Sequence, residues 1–302
     1  MKILYFSNNY ASNVMGTKRS THEELLRLGH ESIFIDRAKV PNVLELIAQH
    51  KPNQIWLSHS NQLIAPNIKG AIKIPVVGFG FSDPYYFKPT RFSSYDVYMA
   101  NHYDTFKKFK HMLPMHYNPT ACDFKFHKII DVKKDIDVSI IGRGLHGRFK
   151  NKSSRIDIFH RLLSLKNINI KVYGQNWGDA HPNISPRIYG DDFLNTINKS
   201  KLGLDLQDKH SPLAHRMFEY GACGTPVITR RRPEVFMHLV EDKEILAYDD
   251  YKELSEKIEY YINHEDKLKE IGEAAYKRCK KNHDIRYRVR DILKFLKDLK
   301  QS

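Results

Sequence analysis

The chain has 302 residues, 41% of them hydrophobic and 28% charged, with a formal charge of +14 at pH 7. This composition excludes a disordered chain and, at roughly 100–200 residues per domain, predicts two domains that each bury a core. Cys122, Cys223 and Cys279 form no Cys-x-x-Cys, which excludes a zinc ribbon or disulfide framework and predicts a reducing compartment.

The positive excess is +7 over residues 1–135 and +7 over the remainder, so it is not confined to a tail. It suits a polyanionic partner or a phosphorylated substrate, and equally a merely lysine-rich composition. The opening stretch MKILYFSNNY turns polar too early for a signal peptide, and no run of about 18 apolar residues occurs. The expectation is a cytoplasmic protein without a membrane partner, a monomer or weak dimer.

In chain order, Lys2–Ser7 reads as a buried parallel strand. A polar loop follows, then a helix over about Ser20–Leu28 that stops at Gly29, with Ser20 or Thr21 as its cap. Next come a strand at Ser32–Ile35, a helix at Val43–His50, strands at Gln54–Ser58, Pro75–Phe79 and Asp96–Ala100, and a helix at Tyr103–Phe109. Strands alternating with helices predict an α/β, doubly wound parallel sheet. Met112–Asp135, with Pro114 and Pro119 and little periodicity, reads as a connection.

A second series begins with a strand at Val138–Ile141, a glycine-bearing loop Gly142–Gly147, a helix at Ser154–Leu165 and a strand at Ile170–Tyr173. It continues with a helix at Asp192–Ser200, a strand at Leu202–Leu206, a helix at Ala214–Ala222 and a strand at Pro226–Thr229. A short helix near Glu234–Leu239, a strand at Glu244–Tyr248 and helices at Lys252–Asn263, Glu265–Asn282 and Ile285–Leu299 close the series. The expected division is residues 1–130, 131–284 and a terminal helix, 285–302, packing back towards the first domain. No Gly-x-Gly-x-x-Gly follows the first strand, where Asn8-Asn9-Tyr10 stands, so a dinucleotide oxidoreductase is excluded.

The most informative stretch is Ser211 to Thr229, SPLAHRMFEYGACGTPVIT. It reads as loop, short helix, glycine stop and buried strand. His215 and Glu219 share a helical face, with Arg216 beside them at the helix start. Helix starts hold phosphate through free N–H groups and the helix dipole, and a carboxylate further along can accept from a ribose diol.

These residues resemble the C-terminal domain of group-1 GT-B glycosyltransferases, and most nearly the spore-maturation (CgeB-like) subset. Asp137–Gly142, Val172–Gly174 with Trp177, Ser82–Tyr85 and Leu113-Pro114 are similar to further segments of that family. The resemblance implies a GT-B architecture, two Rossmann-like domains facing a cleft, and transfer of a sugar from a nucleotide-sugar donor, most simply a UDP-sugar. It implies that Glu219 bonds the donor ribose, that Arg216 faces the pyrophosphate, and that Gly142, Arg143 and Gly144 cover phosphates or sugar, with Tyr173 and His215 alongside. It also implies that no metal or other cofactor is needed. Ser211 stands where the family's E-x7-E motif has its first glutamate, which keeps open a non-catalytic nucleotide-sugar or nucleic-acid binding protein.

Asp83, just past a buried strand, is the candidate base, although Ser-Asp-Pro is also a common turn. His59 occupies a similar position. Asn8, Asn9, Gly16 and Thr17 line the first strand-to-helix loop and are candidates for phosphate or acceptor contacts. Arg230, Arg231 and Arg232 can grip phosphate or form a solvated basic turn. Spread charge suits a hydroxylated or hydroxymethylated base in viral DNA as acceptor. A cell-wall polymer, spore-coat component or other saccharide is the alternative.

Overall fold

The computed structural model describes residues 1–7, 17–40, 42–58, 64, 66–80, 89–144, 154–178, 181–207 and 211–301. They fall into two compact units. The first holds Met1–Ala121, residues 211–213 and the segment from Ile285 onward; the rest of Cys122–Asp284 forms the second. Residues 122–130, expected in the first domain, therefore go with the second.

The first unit contains β1 (Lys2–Ser7), α1 (Thr17–Arg27), β2 (Glu31–Asp36), α2 (Val43–His50), β3 (Gln54–Ser58) and α3 (Pro66–Ala71). It continues with β4 (Val76–Phe79), β5 (Val97–Ala100), α4 (Tyr103–Phe109) and β6 (Met115–Tyr117). The second unit contains β7 (Ile136–Ile141), α5 (Ser154–Leu162), β8 (Ile170–Tyr173), β9 (Ile184–Ser185), α6 (Gly190–Lys199) and β10 (Ser200–Asp205). After these come α7 (His215–Ala222), β11 (Val227–Arg230), α8 (Pro233–Phe236), β12 (Leu246–Tyr248), α9 (Tyr251–Ile262) and α10 (Glu265–Asn282). Finally α11 (Ile285–Asp298) returns to the first unit. Among the described residues no helix is long and apolar enough to cross a membrane.

Each unit is one six-stranded parallel sheet, ordered β2-β1-β3-β4-β5-β6 and β12-β11-β10-β7-β8-β9. Both orders reverse direction once, between β1 and β3 and between β7 and β10. At such a reversal the connections leave for opposite faces and open a crevice at the carboxyl ends of the two strands.

Alternation sorts the first sheet's side chains between two cores. Ile3, Tyr5, Trp56, Val77 and Met99 pack on one face, and Leu4, Phe6, Ile55, Leu57 and Val76 on the other. The first of these faces is closed by Leu25 of α1 and by Ile285, Val289, Ile292 and Leu296 of α11, spaced three and four apart along one helical stripe. Where the chain leaves and re-enters the first unit, its two passes are held locally. Cys122 N–H donates to the His283 carbonyl at 3.0 Å within the second unit, and Arg288 Nε donates to the Pro119 carbonyl at 3.1 Å within the first.

Two expectations change. Met115–Tyr117 is a sixth strand beside β5 and not part of a linker. Helix α1 starts at Thr17, so Ser20 and Thr21 lie inside it, buried, and cannot cap it. Asp137, at the amino end of β7, accepts from Asn169 N–H at 2.8 Å and pairs with Lys201 at 3.0 Å.

The connections after β7 and β8 touch backbone to backbone. A Cβ at Gly174 would overlap the Gly142 carbonyl oxygen, and one at Gly144 the Asn176 carbonyl oxygen. The Trp177 indole N–H fixes the same junction, donating to the Gly142 carbonyl at 2.9 Å. Gly174→Ala should therefore destabilise the protein by about 3 kcal/mol, the upper range for forced overpacking. Gly70→Ala, whose Cβ would meet nothing within 4 Å, should be neutral or add up to ~1 kcal/mol. Urea unfolding of the two variants checks the contrast.

Candidate functional site

The carboxyl edge of the second sheet brings the ends of β7 and β10 side by side, and α7 is the next helix in the chain after β10. Arg155, at the start of α5, laces the two strand ends together. Its Nη1 donates to the Arg143 carbonyl at 2.9 Å beyond β7, and its Nη2 to Gln207 Oε1 at 3.0 Å beyond β10. Arg216 makes a second link, from α7 to β7, donating from Nε to the Ile141 carbonyl at 3.1 Å.

The centre is the pair Arg216–Glu219, three residues apart on α7 and joined by a hydrogen bond from Arg216 Nη1 to Glu219 Oε2. Glu219 is 7% exposed. Burial by itself would raise its carboxyl pKa, but the Arg216 cation, with His127 and His215, more than offsets this and holds the group below its ordinary value. The Arg216 guanidinium also lies over the Phe193 ring of α6, 4.6 Å from its centroid. Ala214 precedes α7 and offers no side-chain oxygen, and no acidic residue stands in the helix's first turn.

A second buried carboxylate, Asp205, ends β10. Thr229 Oγ1 donates to it at 3.0 Å, and Arg232 Nη2 stands 3.9 Å away. Burial dominates here and pushes the carboxyl up, against the pull of Arg232, Arg155 and Arg216. Asp205, Arg155 and His127 were not anticipated as site residues. A charged residue inside the apolar run Leu202–Leu206 was the available signal for Asp205; His127 lies in the aperiodic stretch and carries none.

Gly142, Arg143 and Gly144 follow β7, Gly142 N–H donating to the Tyr173 carbonyl at 3.0 Å, with the Arg143 side chain exposed. Tyr173 is half-buried, and burial pushes its phenol up against a hydrogen bond with Thr196. His215 acts on Glu219 through charge, not as its hydrogen-bond partner; that partner is Arg216. Ser211 is buried and groups with the first unit. Arg230 ends β11 and reaches the Asp249 carbonyl at 3.5 Å. Arg231 is committed to three carboxylates, Glu241 at 2.6 Å, Glu253 at 2.9 Å and Asp249, and these hold its pKa above the ordinary guanidinium value. It forms a structural ion-pair cluster. Asn8, Asn9, Gly16, His59 and Asp83 lie outside the described residues, and of Thr17 only its place at the start of α1 is described. Among the described residues no group of three or more His, Cys, Asp or Glu is placed to hold a metal ion.

Two parallel sheets, each with one reversal and flanking helices, are the fold of GT-B glycosyltransferases, and solved structures similar to this chain have it. Sucrose-phosphate synthase from Thermosynechococcus elongatus superposes with a TM-score of 0.75 at 11% identity, over 99% of each chain. HepE from Anabaena, in complex with UDP-glucose, gives 0.72 at 12%, over 99% of this chain and 100% of that one. A glycosyltransferase from Rickettsia africae gives 0.73 at 14%, over 100% and 99%. Within the chain, residues 155–294 match the family described as glycosyl transferase-like. No curated protein matches.

The Glu219 carboxylate has a depressed pKa in the folded state, so its contribution to stability is complete above the unfolded value, near 4.5, and disappears as pH falls through the folded value. Arg216→Ala should cost about 2 kcal/mol at neutral pH, below the 3–5 typical of a fully buried pair because the arginine is a third exposed. Acid unfolding should show Arg216→Ala losing its deficit relative to wild type as Glu219 is protonated.

Proposed function

We propose that the chain transfers a sugar from a UDP-sugar to a hydroxyl acceptor, with the donor held at the β7–β10 crevice of the second unit. The observation that carries this is the convergence of Arg216, Glu219 and the uncapped first turn of α7 on the one place where a doubly wound sheet builds its site. The glycosyl transferase-like match covers these residues, and HepE of the same fold binds UDP and UDP-glucose.

In this reading the guanidinium of Arg216 and the N–H groups of the first turn meet the diphosphate, and the carboxylate of Glu219 accepts from the ribose diol. As the sugar leaves, negative charge grows on the departing phosphate. Donors already aimed there stabilise that charge and so act on rate as well as affinity. Arginine is the electrophile we assign, in place of a metal ion, and Asp83 or His59 is the group assigned to take the acceptor's proton.

For the acceptor we favour a saccharide hydroxyl. A hydroxylated DNA base rests on the charge of +14, yet Arg231, one of the cations it drew upon, is spent on its three carboxylates. Duplex-DNA binding at low salt, lost as salt rises, would restore that alternative.

Thermal unfolding in the presence of UDP, GDP, ADP and their sugars tests the donor. UDP at about 100 times its Kd should stabilise the fold by about 2.7 kcal/mol. Glu219→Ala should abolish that shift, and an unchanged shift removes the ribose assignment.

A further inference from the structure

The two tasks given to Arg216 conflict. It neutralises a carboxylate that is 7% exposed, and it is also the cation assigned to the diphosphate. Once its Nη donors turn to phosphate, Glu219 keeps only the neutral ribose hydroxyls and is a buried charge without a counter-charge, which is destabilising.

His127 is built to meet that need. It is 2% exposed and belongs to the second unit, as do Arg216 and Glu219. Its Nδ1 is held on its own turn, 3.0 Å from the Asp123 carbonyl oxygen and 3.1 Å from the Asp123 nitrogen. Its Nε2 is buried and has no hydrogen-bond partner. The ring lies edge-on to Phe193 at 6.3 Å, and the Arg216 guanidinium lies over the same ring at 4.6 Å. The charged groups that act on it are Glu219 and Arg216 of α7 and Asp123 of its own turn.

We propose that His127 is a positioning residue for the donor site: when a nucleoside diphosphate draws Arg216 away, His127 binds one proton from solvent and its Nε2–H takes over the Glu219 carboxylate. This rests on the donor reading above. An imidazolium donates from both nitrogens, so Nδ1–H would serve the Asp123 carbonyl while Nε2–H serves Glu219. One positive charge turns to the diphosphate and another arrives behind it; the proton returns to solvent when the nucleotide leaves.

The sign follows from linkage. Burial lowers the His127 pKa in the resting protein, so the ring is neutral at pH 7, and its new carboxylate partner raises it in the complex. Between the two values binding takes up a proton, and Kd for UDP rises with pH by up to about tenfold per unit. Above about pH 7.5 the terminal phosphate of UDP, with a pKa of about 6, is fully ionised and contributes nothing to the slope.

Titration calorimetry of the whole protein with UDP, in buffers of different ionisation enthalpy at about pH 7.5, reads the uptake directly and needs no variant. The expected result is a buffer-dependent heat corresponding to uptake of up to one proton, with Kd about tenfold weaker at about pH 8.5. In His127→Gln and in Glu219→Gln the uptake and the pH slope should both vanish. UDP binding with no uptake in the wild type overturns the proposal. So does uptake that persists in His127→Gln or disappears only in His215→Gln. Absence of UDP heat in every buffer refutes the donor reading itself, a distinct outcome from binding without protons.

Discussion

A carboxylate sealed inside a protein must be answered by a nearby cation, and much of the second unit follows from that requirement at Glu219. Arg216 supplies the charge from one turn earlier on the same helix. In doing so it reaches the last carbonyl of β7 and lies over Phe193, so α7, β7 and α6 are positioned by one guanidinium. Asp205 makes the contrast. Both acids are buried, yet the one hydrogen-bonded to its arginine titrates below its ordinary value while the one 3.9 Å from its arginine titrates above. At Glu219 the charge of Arg216, helped by His127 and His215, outweighs burial, whereas at Asp205 burial outweighs Arg232, Arg155 and Arg216.

Topology places this chemistry. Both sheets reverse once, and in each the reversal sets two strand ends together, Ser7 with Ser58 and Ile141 with Asp205. At the second of these, glycines 144 and 174 let the connections run in backbone contact, and Trp177 and Arg155 fasten them. The result is a floor in which the two connections are tied by the Trp177 indole and the Arg155 guanidinium.

Most of the architecture was legible from apolar runs alternating with helical periodicity. Every strand of four or more residues was anticipated to within about two residues, the usual scatter of assigned ends. What escaped had no local signal. Met115–Tyr117 is three residues long beside Pro114, and Ile184–Ser185 only two; both are strands because a neighbouring edge pairs with them. The start of α1 was misplaced because Ser20 and Thr21 have the chemistry of caps, whereas tertiary burial placed them within the helix. At the site, Arg216 and Glu219 were legible because a helix brings near neighbours together. Asp205 and Arg155 were not, since their partners lie on other elements far along the chain, and His127 was not, since the Phe193 ring that links it to Arg216 lies on α6.

The return of α11 to the first unit has a consequence for synthesis. On the ribosome the first sheet emerges with Ile3, Tyr5, Trp56, Val77 and Met99 on a face that Leu25 of α1 covers in part and Ile285–Leu296 complete. That helix is translated only after the whole second unit, so the domain begun first is completed last. Throughout elongation a nascent chain of this design presents an incompletely covered apolar sheet face, a surface suited to chaperones that bind such faces until α11 arrives.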